Sequence, residues 1–358
     1  MLDVVLICPL SSQPRIIRRA ISLDKVANLS VLGFQRRIYE TNHFPKDINY
    51  QSLGHIEDGH YFRRIGAFIK ALFKIRKVSA NNAIFYALSI DCLLLAKLAG
   101  IKDGIYEIGD LRSCEKPNSI YSRLERFLLR SVRAVVITSD SFYSEYFINY
   151  ESSFTSSFFE IRNKLDKNVA TAVRQEKSIC SNGRINIGLV GSLRYEQPIR
   201  WLIDFVNKYN KQYHLICHGD GAFRSVIEEN TNENIEYFGP YKAPDDLERI
   251  YEDIHINFVV YDNSSRNVRL AVPNKLYESI FFGAPILAAC DTALANEINK
   301  LGVGVSVSLN CFRDFERDII AFSAERIQRA SKAALNISTE QLVDDSERQL
   351  YSLLRCFD

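Results

Sequence analysis

The sequence predicts an α/β protein of two domains, each a doubly wound parallel sheet with helices on both faces. Short β-rich runs alternate with longer segments of helical period, which is the pattern of such sheets. The chain has 358 residues, 47% of them hydrophobic and 25% charged, and this length exceeds what one core usually covers. Residues 166–184 are polar and show no sustained apolar period, so we expect the domain boundary there.

The first domain is predicted to span residues 1–166. It begins with the apolar run 4–7 and ends with the run 134–137, which suits the centre of a sheet. Between these runs, Ile120, Leu124, Phe127 and Leu128 recur at helical spacing. We expect a helix there that packs this apolar face on the sheet.

The second domain is predicted to span residues 185–337. Its expected strands lie at 185–190, 215–217, 235–238, 256–260 and 285–289, with a helix over 201–206. Ser338 and Gln341 form a capping box. We therefore predict a last helix within residues 338–358.

Composition narrows the functional class and the location. The chain has 45 lysines and arginines and 43 acidic residues, so it lacks the large positive net charge of a nucleic-acid binder. The eight cysteines are scattered singly, which argues against a zinc site and predicts buried thiols in a reducing compartment. No secretory leader is recognisable, and no apolar run approaches the roughly 20 residues of a membrane span. We expect a cytoplasmic protein.

The stretch from Tyr61 to Lys77 is basic and amphipathic and contains no acidic residue. We favour the interpretation of a core-packing helix with a solvated face, because surface helices are generally amphipathic. The alternative is a patch that contacts anionic lipid on the inner face of the cytoplasmic membrane.

Two loops of the second domain leave predicted strands through glycine. Gly191 and Ser192 lead to Arg194, just before a predicted helix, and Gly219 follows the next strand. Ligands of doubly wound domains bind where strands end, and a cation near a helix N-terminus suits a diphosphate. The alternative is that these glycines are simply turn residues.

A third loop opens a helix with Asn274 and Lys275. Lys275 is suited to the same diphosphate, and Glu278 lies in the first turn, where a carboxylate could accept both hydroxyls of a ribose. Alternatively, Glu278 is a first-turn acid favoured by the helix dipole. Together the three loops favour a nucleotide site.

Other motifs of nucleotide and metal sites are missing from the sequence. There is no G-x-G-x-x-G after the first strand and no G-x-x-x-x-G-K-[ST], which argues against dinucleotide oxidoreductases and P-loop enzymes. No Asp-x-Asp pair is present to hold a metal on a diphosphate, and the six histidines show no ligand spacing. We therefore predict a reaction without a metal ion or other cofactor.

From Asn274 to Ala288 the sequence resembles the NKLYE…GxPV(I/L)A signature of GT-B retaining glycosyltransferases of family four. The first half is similar to the acceptor domain of bacterial members that build capsule, O-antigen or exopolysaccharide, through the segments 14–20 and 106–111. The resemblance implies two Rossmann-like domains facing a central cleft, with the C-terminal helix crossing back to the N-terminal domain. It also implies transfer of a sugar from a nucleotide-diphosphate sugar to a lipid-linked or polysaccharide acceptor, with retention of configuration.

The resemblance also implies roles for particular residues. Glu278 would hold the ribose, and the donor diphosphate would be bound by Gly191, Ser192, Arg194, Asn274 and Lys275. Gly219, Phe238 and Gly239 would border the base. On the acceptor side lie Arg15 and the catalytic candidates Asp110 and Glu107, although Glu107 could instead be buried in a pair with an arginine.

The sequence departs from the family pattern at three places. Leu270 stands where many relatives carry a glutamate aimed at the donor sugar, and Gln197 and Pro198 stand near the place of a lysine-glycine pair. Residues 107–110 lack the histidine of a common acceptor-side motif. A sugar-nucleotide epimerase of the same fold and a non-catalytic subunit that binds a partner transferase therefore stay open as alternatives.

Overall fold

The computed structural model describes residues 1–35, 44–55, 61–78, 83–179 and 183–357, and only the backbone of residues 61–65. The chain divides into two compact units. The first comprises Met1–Asn163 with Asp345–Asp358, and the second comprises Lys164–Asp344. Each unit contains one sheet.

The first unit is built on a seven-stranded parallel sheet. Its strands are β1 (Asp3–Cys8), β2 (Asn28–Gln35), β3 (Tyr50–His55), β4 (Ile84–Ala87), β5 (Gly104–Ile108), β6 (Ala134–Ile137) and β7 (Ser157–Glu160). Its helices are α1 (Pro14–Asp24), α2 (Tyr61–Val78), α3 (Ile90–Leu98), α4 (Ile120–Leu129) and α5 (Ser141–Glu145). The order β3-β2-β1-β4-β5-β6-β7 is that of a doubly wound sheet, which reverses direction beside β1.

The second unit repeats this design with six parallel strands. They are β8 (Ile185–Ser192), β9 (Tyr213–Asp220), β10 (Ile235–Tyr237), β11 (Ile256–Val259), β12 (Ile286–Ala289) and β13 (Gly304–Val307), in the order β10-β9-β8-β11-β12-β13. The helices are α6 (Glu196–Lys208), α7 (Arg224–Glu228), α8 (Leu247–Glu252), α9 (Arg266–Leu270), α10 (Lys275–Phe281), α11 (Ala293–Leu301), α12 (Phe312–Ile320), α13 (Ala324–Leu335) and α14 (Thr339–Leu342). The predicted pair of doubly wound domains is confirmed.

The end of the chain returns to the first unit as helix α15 (Ser346–Leu354). Its Leu350, Leu353 and Leu354 are buried in the core of the first unit, so the predicted crossing back is confirmed. The prediction of a single helix from residue 338 is wrong, because α14 and α15 are separate. The backbone between α14 and α15 forms two hydrogen bonds with Leu165. Leu165 N donates to Leu342 O at 3.0 Å, and Asp344 N donates to Leu165 O at 2.8 Å.

Helix α4 is turned differently from its predicted orientation. Glu125 and Ser122 face inward and are buried, while Ile120 is 86% and Phe127 65% exposed. The polar side chains are buried because they find partners: Tyr106 Oη donates to Glu125 Oε1 at 2.8 Å, and Ser122 Oγ donates to backbone carbonyls. The expected apolar face on the sheet is therefore wrong for Ile120 and Phe127.

The cysteine prediction holds only in part. Cys8, Cys92, Cys114 and Cys217 are buried, but Cys311 and Cys356 are exposed, and Cys180 lies outside the described residues. Among the helices described here, none has the length and apolarity to cross a membrane.

Candidate functional site

The exits of β8 and β9 lie side by side and are shaped by glycine. Gly191 is paired with Gly219 in the parallel register, and both have positive φ, 123° and 155°. A Cβ on Gly219 would lie 1.8 Å from Gly191 O, so no other residue fits this close approach. Strand packing alone accounts for Gly219, which is buried, whereas Gly191 and Ser192 form a partly exposed surface at the exit of β8.

Lys275 lies across this surface. Its Cε is 3.1 Å from the position that a Cβ on Gly191 would occupy, and its Nζ donates to Tyr241 Oη at 2.8 Å. Arg194 is exposed on the same loop and donates through Nε to Ser192 Oγ at 2.7 Å. Lys275 and Arg194 are thus the cations at the β8 exit that the sequence predicted, and the structure brings Gly191, Ser192 and Lys275 together.

Glu278 is buried beside Lys275 at the start of α10. Its Oε1 accepts from Asn274 Nδ2 at 2.8 Å, and its Oε2 accepts from Lys275 Nζ and, at 3.5 Å, from Tyr251 Oη. Burial by itself lowers the pKa of Lys275, but the adjacent Glu278 carboxylate outweighs burial and raises that pKa well above its usual value. Lys275 is therefore charged at neutral pH.

A buried polar network behind Glu278 was not predicted from the sequence. Asn257 lies in the otherwise apolar strand β11, and its Nδ2 donates to Tyr251 Oη at 3.0 Å and to Ser279 Oγ at 2.7 Å. Tyr251 in turn stacks on Phe282 with ring centroids 4.9 Å apart. An asparagine inside an apolar strand is the signal that could have indicated this network, because buried polar groups need partners.

The exits of β9 and β10 form an aromatic edge beside the glycines. Phe238 is 54% exposed and stacks on His218 with centroids 4.7 Å apart. Gly219 N donates to Gly239 O at 2.8 Å. The predicted trio of Gly219, Phe238 and Gly239 is thus contiguous, and one face of the Phe238 ring is open.

Leu270 ends α9 as a buried apolar side chain, 3% exposed. Gln197 is exposed and Pro198 is buried in the first turn of α6. Leu270 and Pro198 have no polar side chain. The cations that stand at the exit of β8 in the described part of the chain are Arg194 and Lys275.

In the first unit, Glu107 is fully engaged by its neighbours. Arg19 donates to it through Nε at 2.7 Å and through Nη2 at 3.3 Å, and Tyr86 Oη donates at 2.6 Å. Burial alone would raise the pKa of Glu107, but the charges of Arg19 and Arg15 hold it below its usual value. Both carboxylate oxygens accept hydrogen bonds, which supports the alternative that Glu107 is the buried partner of an arginine.

Replacement of Glu107 by glutamine should lower the free energy of unfolding by about 3–5 kcal/mol, because the buried Arg19 would lose the charge of the Glu107 carboxylate. The lowered pKa of Glu107 means that its contribution is complete above the unfolded pKa of about 4.3 and is lost as pH falls through the folded value. Urea unfolding at pH 7 and at lower pH measures this difference. The exposed pair of Lys25 and Glu347 is the control, since Glu347→Gln should cost less than about 1 kcal/mol.

Asp110 and Arg15 remain as acceptor-side candidates. Asp110 is exposed just after β5. Arg15 lies directly over Gly109, where a Cβ would be 1.3 Å from Arg15 Nη1. Glycine at 109 therefore leaves the space in which the Arg15 guanidinium sits.

Comparison with solved structures shows which proteins share this fold over their whole length. HepE from Anabaena, solved with UDP and glucose, matches with a TM-score of 0.72 and 15% identity over 99% of this chain and 100% of that one. Sucrose-phosphate synthase from Thermosynechococcus elongatus gives 0.73 and 13% over 100% of both chains. WaaG, a glycosyltransferase involved in lipopolysaccharide biosynthesis, gives 0.70 and 11% over 98% of this chain and 99% of that one. These matches confirm the GT-B fold.

Comparison by sequence finds no such relatives. The chain matches no known protein family's sequence profile and no curated protein.

Proposed function

We propose that this chain, which has the GT-B fold, is a glycosyltransferase that takes its sugar from a nucleotide-diphosphate sugar. The observation that carries the proposal is the buried pair of Lys275 and Glu278 beside the glycine-lined exit of β8, with Arg194 on the same loop. HepE, of the same fold, was solved with UDP-glucose, which supports a nucleotide sugar as the donor here.

Each part of a nucleoside diphosphate has a counterpart in this site. Lys275, which lies against Gly191, and Arg194 supply positive charge for the two phosphates. Among the described residues one donor, Asn274, bonds Glu278 Oε1, so this oxygen retains capacity for a ribose hydroxyl. The open face of Phe238 suits a base.

The proposed transfer retains the configuration of the sugar. The bond from the sugar's anomeric carbon to the diphosphate breaks, a bond to the acceptor oxygen forms, and the acceptor's proton passes to a diphosphate oxygen. Arg194 and Lys275 stabilise the charge that grows on the diphosphate, so the reaction needs no metal ion and should persist in EDTA. Asp110 is the group we propose to orient the acceptor hydroxyl. We propose a hexose or aminohexose as the sugar and a lipid-linked or polysaccharide acceptor of capsule, O-antigen or exopolysaccharide synthesis.

Thermal unfolding with UDP, GDP and dTDP tests the donor site. A nucleotide at about 100 times its Kd should stabilise the wild-type protein by roughly 2.7 kcal/mol, and Glu278→Ala should abolish that gain. The ligand-induced gain is the readout, since the substitution also removes the partner of Lys275. The exposed Glu325 provides the control Glu325→Ala, which should keep full protection. Equal protection of Glu278→Ala would refute the donor-site assignment.

A non-catalytic subunit is the second candidate, and the apolar, buried Leu270 favours it because many relatives place a glutamate there. Assays of binding and hydrolysis with UDP-, GDP- and dTDP-sugars separate the two candidates. A protein that neither binds nor hydrolyses any of them would favour the non-catalytic subunit. Conversion of a donor with no acceptor present would indicate an epimerase.

We also propose contact with an anionic membrane through α2 and α4. On α2, Ile69 and Phe73 are exposed, and Lys70 and Lys77 lie on the same face at helical spacing. Exposed apolar groups among lysines suit the interface of an anionic bilayer. On α4, Ile120 and Phe127 are exposed in the same way. The side chains of Arg63 and Arg64, part of the predicted basic stretch, lie outside the described residues.

Flotation with vesicles tests this contact. The wild-type protein should float with vesicles that contain phosphatidylglycerol and not with pure phosphatidylcholine. Phe73→Ser combined with Lys70→Gln should reduce the bound fraction several-fold, whereas Lys211→Gln, an exposed lysine of the second unit, should leave it unchanged. Equal flotation of the α2 variant would rule this surface out.

A further inference from the structure

A second depression opens beside the proposed diphosphate site, at the start of α6. It has a volume of about 430 Å³, within the range of small-molecule sites. Tyr195, Trp201 and Phe223 supply aromatic surface, and Arg194, Arg200 and Asp262 supply polar groups. None of the roles proposed above uses this depression except through Arg194.

The aromatic side chains of the depression are held in place from behind. Trp201, the chain's single tryptophan, packs against Phe315 and Phe312 with ring centroids 5.6 Å and 6.0 Å away. Tyr195 stacks on Tyr261 at 4.9 Å. Fixed, partly exposed rings offer flat apolar faces at low entropic cost, which suits the C–H face of a sugar ring.

The charges around the depression cancel. Arg200 is paired with Glu196 at 2.8 Å, which leaves Arg194 and Asp262 as one positive and one negative group. Asp262 Oδ1 accepts from Ser264 N at 2.9 Å, so its carboxylate keeps further acceptor capacity, and Arg194 has N–H groups beyond the Nε that bonds Ser192. Balanced donors and acceptors next to apolar rings fit a neutral ligand rich in hydroxyls rather than an anion.

We propose that this depression binds a saccharide unit of the acceptor, so that the second unit takes part in acceptor recognition as well as donor binding. The inference rests on the proposed function. In a retaining transfer the acceptor hydroxyl gives its proton to the leaving diphosphate, and the acceptor must therefore lie beside the diphosphate. Arg194 borders both sites, and a sugar in the depression meets this requirement.

Trp201 makes the proposal directly testable, because all tryptophan fluorescence of the chain reports on this depression. With saturating UDP, GDP or dTDP present, the neutral methyl glycosides of glucose, galactose, mannose and N-acetylglucosamine are titrated into the protein. We expect a saturable change in emission with at least one glycoside. Asp262→Asn should weaken that binding about tenfold, which corresponds to about 1.4 kcal/mol, and the exposed-site control Asp245→Asn should not.

Two results would overturn the proposal. One is the absence of a saturable change with every glycoside. The other is a change that only an intact nucleotide sugar produces, which would assign the depression to the donor's own sugar. Thermal protection by nucleoside diphosphates, measured on the same samples, separates this failure from failure of the proposed function: protection without a glycoside response removes only the saccharide subsite, whereas no protection by any nucleotide removes the donor site.

Discussion

Replacement of Lys275 by methionine should lower the free energy of unfolding by about 3–5 kcal/mol, because Glu278 would remain as a buried carboxylate without its cation. The double variant Lys275→Met with Glu278→Gln should recover most of this loss, since no unpaired charge remains. Neither variant should gain stability from a nucleoside diphosphate, because both lack the cation proposed for the phosphates. Urea unfolding, with and without nucleotide, measures both effects.

The exposed pair of Arg224 and Glu228, also within one helix, is the matched control. Arg224→Met should cost at most about 0.5 kcal/mol and leave nucleotide protection intact. If Lys275→Met cost no more than this control, the buried pair would not be the structural centre of the site. If the double variant kept full nucleotide protection, the phosphates would have to be bound elsewhere.

Gly219→Ala should be the most damaging substitution of a single glycine in the second unit's site. Its Cβ would lie 1.8 Å from the backbone oxygen of Gly191, so β8 and β9 would have to separate where they end. We expect a loss of about 3 kcal/mol or more from overpacking together with backbone strain, and a loss of nucleotide protection with it.

Gly302→Ala separates strain from collision. Gly302 has a φ of +69°, and a Cβ there would meet nothing within 4 Å, so only the cost of the left-handed backbone, about 1–2 kcal/mol, is expected. Equal losses for the two variants would contradict the close approach of the two strand exits. Thermal and urea unfolding of both variants supply the comparison.

Much of the fold was readable from periodicity. The runs 4–7 and 134–137 are apolar throughout, as expected of strands buried on both faces of a parallel sheet. Helical spacing predicted α4 but not its buried face, because Glu125 and Ser122 are buried and Ile120 and Phe127 are exposed. A pattern of apolar residues identifies a helix, but hydrogen-bond partners from Tyr106 and Ser113 decided which face turned inward.

The sites divide in a similar way. Gly191, Lys275 and Glu278 could be singled out because short loops after strands bring their residues to one edge of a sheet. The hydrogen bonds that bury Glu107 could not be predicted in this way, because its partners Arg19 and Tyr86 lie 88 and 21 residues away in sequence. Likewise, Asn257 and Tyr251 join Glu278 only through tertiary contacts.

The sequence by itself determined the two parallel-sheet units, because these depend on local period and on the order of strands. The family resemblance predicted the chain's return to the first unit, and the loops after the strands singled out Arg194, Lys275 and Glu278 as candidates. Tertiary structure alone decided which charged groups stay available. Packing buried Glu107 against Arg19, and it left Asp110 and Arg194 exposed. Whether a charged side chain can contact a ligand depends on the residues packed around it, and many of these residues are distant in the sequence.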